Sequence, residues 1–282
     1  MSNYQNILAV IDNKNNSQSL ILKALTLSKY SDAKLTFLNL TNHDNLTSSI
    51  NPTNSSIRFI EENKISVVKA STHKEYAEIW EELNNQNYDL IMKTKIPKHH
   101  NYMGISPSDD WKLLRNLATP LMLVTKTQWQ SDGHLLTAIE TEENNSRHTE
   151  LNKDILQHSY QLSKNLTSKM HLVNCYLGDE YDISINASSS GVIAENQERL
   201  HWQHLVKLLD DNNDVEPELH LQEGMPETEI SLLSKKYNVN MVILGAAEHS
   251  NIMNSFFGHT SEYIIDQLEC DALAVKGQIT HH

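Results

Sequence analysis

The chain has 282 residues, of which 39% are hydrophobic, with eight glycines and six prolines. That is enough for one large domain or two ordinary ones, and it excludes a disordered or collagen-like chain. The formal net charge of −13 argues against a general DNA or RNA binder, because neutralising phosphates needs a basic face. No apolar run approaches the roughly 20 residues of a membrane helix. The start, MSNYQNILAVID, lacks a basic n-region and a small-residue cleavage site, so a cytoplasmic location is expected. Cys175 and Cys270 lie far apart and form no CxxC pair, which reads as buried free thiols.

In chain order, NILAVID (Asn6 to Asp12) is a short apolar run ending in a carboxylate and reads as a strand. A helix follows over roughly Ser17 to Tyr30, then the strand AKLTFLNL. The segment TNHDNLTSSINPTNSSIRFIEEN is polar and broken by Pro52, and reads as a loop with at most a short helix. ISVVKA is a third strand, Lys74 to Asn85 a helix, YDLIMKT a fourth strand, DDWKLLRNL a helix and TPLMLVTK a fifth strand.

The order then begins again. HLLTAIE (His134 to Glu140) is the counterpart of NILAVID, again an apolar run closed by a carboxylate. It leads to a helix over Thr149 to Leu166, the strand SKMHLVNCYL, and a helix over about Val192 to Leu209 that the first half lacks. PELHLQEG, a helix over Pro226 to Tyr237, VNMVILG, TSEYIIDQL and CDALAVKG complete it. Pro226 suits a first helical turn. The apolar runs are nearly continuous, as in parallel strands covered on both faces. The alternation predicts an α/β fold of two tandem domains, each a parallel sheet with helices on both faces. The domains are expected at residues 1–128 and 129–282, joined at the polar connector TQWQSDG. So short a connector favours pairing of the halves inside one chain.

In open α/β sheets, ligands bind beyond the carboxyl ends of strands where the strand order reverses. In the second half this points to Glu140 and Thr141 after the first strand, and to Gly245 and Ala246 after the fourth. The following loop carries His249, and the next helix opens with Gly258, His259 and Thr260. A helix N-terminus offers free N–H groups and partial positive charge to a phosphate. The competing reading is structural: Thr260 caps the helix and Gly258 makes a turn. In the first half, Asp12 ends the first strand, and Lys93 stands where the second half has Gly245. Lys93, Lys95 and Lys98 carry charge for an anion, and Asp109 and Asp110 read as helix caps. With no second-half glycines, the first-half site is expected to be degenerate.

Fifteen histidines call for a metal search. His99 with His100 and His281 with His282 are adjacent pairs, and no HExxH or Cys-His cluster is present, so no metal site is expected. GxSxG, the P-loop and GxGxxG are absent as well. No nucleophile or base presents itself, and no catalytic residue is assigned.

The stretch MVILGAAEHSNIMNSFFGHTSEYIIDQLECDALAVKG resembles the signature region of the universal stress protein family. MSNYQNILAVID and SPSDDWKLLRNLATPLMLVTKTQW resemble the matching parts of a first domain. Nearly the whole chain is similar to the tandem, two-domain type. The resemblance implies Rossmann-like, adenine nucleotide alpha hydrolase-like domains with five-stranded sheets that pair through their fifth strands, either internally or in a homodimer. It also implies a stress-response protein that binds ATP, with Mg, or another phosphate-containing ligand. Asp12 and Glu140 match the acidic position after the first strand, Gly245 the first glycine, Gly258 the third, and Thr260 the hydroxyl beside it. Glu248 stands where a second glycine would be. Two other readings remain open: a weak metal-dependent ATP hydrolase, and a ligand-free interaction module.

Overall fold

The computed structural model describes residues 4–12, 17–41, 65–70, 75–96, 109–141, 146–177, 190–210, 216–246 and 257–276. The long polar segment of the first half (42–64) lies outside them, as do most of the glycine loop of the second half (247–256) and both adjacent histidine pairs. The elements of the first half are β1 (Asn6–Ile11), α1 (Ser17–Ser31), β2 (Lys34–Asn39), β3 (Ile65–Lys69), α2 (Glu75–Asn85), β4 (Leu90–Thr94), α3 (Asp109–Asn116) and β5 (Leu121–Val124). Those of the second half are β6 (His134–Ala138), α4 (Ser146–Leu166), β7 (Lys169–Tyr176), α5 (Ser190–Asp210), β8 (Glu218–Glu223), α6 (Pro226–Lys236), β9 (Met241–Gly245), α7 (Phe257–Gln267) and β10 (Asp271–Val275).

The chain divides into two compact units, 1–129 with 270–274, and 130–269 with 275–282. In the first unit, β3, β2, β1, β4 and β5 lie side by side in that order, all parallel. Ile7 stands opposite Leu35 on one side and Leu90 on the other. β4 and β5 are buried throughout, as are all but the first residues of β1 and β2. β3, at the edge, is half exposed. This is why the inner strands are apolar runs while the edge strand carries polar residues and leaves Val67 exposed.

The last strand of the sequence adds to this unit. β10 runs antiparallel to β5, with Leu273 opposite Met122. Asp271 anchors its start and is wholly buried. Lys23 Nζ lies 2.7 Å from one of its oxygens and 2.9 Å from the other. The Thr125 N–H and Oγ1 donate to it at 2.7 and 2.8 Å, and the Trp129 indole N–H at 2.8 Å. Burial favours the neutral form of each partner, raising Asp271 and lowering Lys23, and their mutual charge and hydrogen bonds oppose it. Five hydrogen bonds on one carboxylate are what make a buried charge tolerable.

In the second unit the order is β9, β6, β7, β8, again parallel. β9 is buried throughout and β8, at the edge, only in part. The repeat extends to single hydrogen bonds. After α1, the Ser28 Oγ donates to the Ala33 carbonyl at 2.7 Å, and Asp32 has φ of 58°. After α4, the Ser163 Oγ donates to the Ser168 carbonyl at 2.7 Å, and Thr167 has φ of 50°. Both helices thus end through one left-handed residue and a serine clasp. Strand order reverses between β1 and β4 in one unit and between β6 and β9 in the other, which fixes where each unit can hold a ligand. Among the described residues, no helix is long and apolar enough to cross a membrane.

Candidate functional site

A cleft of about 70 Å³ opens at the carboxyl ends of the strands in the second unit. Its floor comes from Ala138 at the end of β6 and Ile139 after it, Val173 and Cys175 of β7, and Leu244 of β9. One wall is the turn at Gly224 with Pro226 and Ile230 of α6, and another is Thr260, Ser261 and Ile264 of α7. Glu140, Tyr176, Leu177 and Gly245 complete it. The lining is thus mostly apolar, and it contains no lysine or arginine among the described residues. At ~10–15 Å³ of such space per water, the described part holds several waters or one compact organic group.

Each wall has a local cause. Gly224 sits at φ of 143°, a conformation that side chains avoid, and its N–H donates to the Tyr176 carbonyl at 2.9 Å. This turns the chain from β8 into α6, with Pro226 in the first turn. Gly245 leaves room for α4: a Cβ there would lie 2.9 Å from Leu151 Cδ2 and 3.2 Å from Ile155 Cδ1. Its glycine therefore answers to helix packing as well as to the cleft. The Ser261 Oγ donates to the Gly245 carbonyl at 2.7 Å and ties α7 to the end of β9. Burial, followed by the charges of Glu229 and Glu227, pushes the Cys175 thiol up to about 12. The thiol therefore stays protonated and is a packing group, not a nucleophile.

The residues expected from sequence divide into three sets. Glu140, Gly245 and Thr260 come together on the cleft. Thr260 is the fourth residue of α7, which begins at Phe257. It therefore faces the cleft from within the first turn instead of capping the helix, and Gly258 belongs to that same turn. Thr141 turns away toward α5: its Oγ1 donates to Asn174 Oδ1 at 3.2 Å, and its carbonyl accepts from His204 Nδ1 at 3.0 Å. Asn174 also donates to the Ile139 carbonyl at 3.0 Å, and Asn152 to that of Glu140 at 2.6 Å. The segment after β6 is thus held by side chains from three elements. The Ala246 N–H is engaged by the Val275 carbonyl at 2.8 Å. His249, Glu248 and the His259 side chain lie outside the described residues.

In the first unit, Asp12 is buried at the end of β1. Lys93 is also buried, and its ammonium is paired with Asp110, which accepts the Ile96 N–H at 2.9 Å as well. The Lys93 charge is thus balanced within the protein. Among the cleft residues that sequence reasoning missed are Val173 and Cys175 on β7, Gly224 and Ile230 around α6, and Ser261 and Ile264 on α7. The serine of HTSEYII, one residue beyond Thr260, carried a usable signal. Gly224 is the glycine of the turn between β8 and α6, and the rest are residues of regular elements, marked only by which strand ends meet.

A profile of the universal stress protein family matches residues 148–276. The chain is 25% identical over 304 residues to universal stress protein E of Photorhabdus laumondii, covering 98% of this chain and 96% of that protein. Among solved structures, a functionally unknown protein from Pseudomonas aeruginosa superposes with a TM-score of 0.77 at 20% identity, covering 97% of this chain and 93% of that one. A universal stress protein from Archaeoglobus fulgidus superposes with a TM-score of 0.63 at 14% identity, covering 97% of each. The last two likenesses concern the fold.

Proposed function

We propose that this chain, whose residues 148–276 match the universal stress protein family and which resembles universal stress protein E over nearly its whole length, is a tandem member of that family and serves the stress response by binding a small ligand in its second half. The observation that carries this reading is the cleft at the reversal of strand order, apolar within and bordered by the first turn of α7. The residues present suit a ligand with two unlike ends. A planar or apolar group packs between Val173, Ile230 and Ile264, and Glu140 accepts from hydroxyls such as those of a sugar. An anionic end meets the N–H groups of residues 257–260, where the helix dipole favours negative charge.

ATP, with Mg²⁺ to offset the acids nearby, or another phosphate-containing ligand, is the class proposed. The residues fit the nucleoside part; with no lysine or arginine lining the described cleft, the phosphates rely on backbone N–H groups. The first half, with Lys93 already paired, takes a structural part in this proposal, and the boundaries 1–128 and 129–282 belong to it too. Pairing of the halves within one chain is supported by the short connector and by the antiparallel β5–β10 ladder. A cytoplasmic location is part of the same proposal.

Calorimetry tests it. Wild type should bind Mg-ATP. Gly258→Asp, which sets a carboxylate in the first turn of α7, should weaken binding about fivefold, as ~1 kcal/mol of repulsion between two like charges at close range in water implies, and should affect adenosine less. Thr260→Trp, which fills the cleft, should weaken both ligands. Equal affinities in all three proteins would reject this site. Metal-dependent phosphate release would favour the weak hydrolase, and no binding by wild type would favour the interaction module.

A further inference from the structure

At the other end of the same strands, three histidines form a ladder across one face of the sheet. His134 opens β6, His171 is the third residue of β7 and His220 the third of β8. The register places His171 opposite Leu136 on one side and Glu218 on the other. His134 Nδ1 and His171 Nε2 are 2.7 Å apart, and His171 Nδ1 and His220 Nε2 are 2.9 Å apart. Glu218 reaches both: its oxygens lie 3.6 Å from His171 Nδ1 and 3.9 Å from His220 Nε2. The Tyr237 ring covers the imidazoles, with centroids 4.4 Å from His171 and 5.1 Å from His220, and its hydroxyl donates to Glu218 at 3.2 Å.

We propose that His171 Nδ1, His220 Nε2 and the Glu218 carboxylate form a binding site for a divalent first-row transition metal ion of the zinc type. The three ligand atoms lie within 4.8 Å of one another. The two ring nitrogens are 2.9 Å apart, and one Glu218 oxygen lies 3.6 Å from His171 Nδ1 while the other lies 3.9 Å from His220 Nε2, close to the edge of about 3.3 Å set by a tetrahedral ion with ligands at ~2.0–2.1 Å, so a small turn of the carboxylate completes the set. Two imidazoles and one carboxylate suit such an ion better than calcium or magnesium, which prefer all-oxygen sites.

The surrounding groups are those a ligand set needs. With His134 Nδ1 accepting from the His171 Nε2–H, the His171 lone pair is at Nδ1, facing His220 and Glu218. Only His220 has to move its proton to the far nitrogen when a metal enters. Tyr237 fixes the carboxylate. Burial lowers His171 to about 4 and lowers His220 too, so both rings are neutral at pH 7, the form that ligates. His171 is 1% exposed and Glu218 59%, so the site is anchored in the sheet and open at its acid. Three protein ligands leave a position for water or a partner's side chain. All of this lies in the second unit and on the face of α6, away from the carboxyl ends that carry the cleft, so it stands or falls apart from the ligand proposal.

The test is titration of the full chain, freed of metal by chelation, with Co²⁺ followed by its visible absorption, then displacement with Zn²⁺. Wild type should show the absorption of a low-coordinate Co²⁺ site and hold Zn²⁺ at least about tenfold more tightly than Glu218→Gln or His220→Ala. His134→Phe, which keeps every ligand but removes the acceptor, should weaken binding by about 10–100-fold. Glu218 is exposed enough for its variant to stay folded, so it decides the matter even if His220→Ala does not fold. Zn²⁺ affinity in Glu218→Gln within tenfold of wild type, or no Co²⁺ spectrum in wild type, would overturn the proposal.

Discussion

Thr167 shows how a single residue can run against its own preference. It is β-branched, exposed, and held at φ of 50° where α4 ends, a conformation that costs a β-branched residue roughly 1–2 kcal/mol. Glycine there removes the steric cost but adds conformational entropy to the unfolded chain, a penalty of about 0.5–1 kcal/mol. Thr167→Gly should therefore stabilise the protein by up to about 1 kcal/mol, read as a higher urea midpoint with unchanged slope. A lower midpoint would mean that the threonine side chain stabilises this end in some other way. Its counterpart Asp32, at φ of 58°, is of the type that tolerates this region better. Neither residue announces its conformation in sequence, because the usual glycine signal at a helix end is missing from both.

Among the elements, β10 is the one whose place local periodicity could not give. Its apolar run was legible as a strand of the second half, and its pairing with β5 was implied only by the family resemblance, which expects the domains to meet through their fifth strands. Four of its five residues group with the first unit, through the ladder to β5 and the bonds that Lys23, Thr125 and Trp129 make to Asp271. Asp271→Ala would leave the Lys23 ammonium buried without its counter-ion. A loss of 3–5 kcal/mol is expected, roughly the figure for breaking one side of a buried pair. Chemical denaturation measures it, and a loss below about 1 kcal/mol would show that water reaches Lys23 instead. The double variant Lys23→Met with Asp271→Leu should recover much of that stability, because two apolar groups need no partner. α7 is the other element the structure refines. It begins at Phe257, a turn earlier than the run TSEYIIDQL suggests, and this moves Thr260 from a cap to a wall of the cleft.

For the molecule as a whole, burial of neutral histidine makes stability depend on pH. Burial lowers His158 on α4 to about 4, from an ordinary value near 6.5. Between these values the unfolded chain takes up a proton that the folded one does not, so stability falls as the pH drops from about 6.5 toward 4 and this contribution is flat outside that window. Denaturation midpoints at pH 7, 5.5 and 4.5 should decline in wild type and decline less in His158→Gln. Parallel curves would exclude His158 as a source. The sequence by itself determined the run of strands and helices and the repeat, and it pointed to the strand ends at which a ligand is proposed. Those features rest on local periodicity and on residues near in the chain, such as Gly245 and Thr260. Only the tertiary structure decided that Cys175, Ile230 and Ser261 share a cleft, that Lys93 is paired with Asp110, and that His171, Glu218 and His220 meet. His171 and His220 are 49 residues apart, on strands whose adjacency and register are set by the packing of the whole sheet. No spacing in the chain could announce them, because a parallel register is fixed across the sheet and not along the strand.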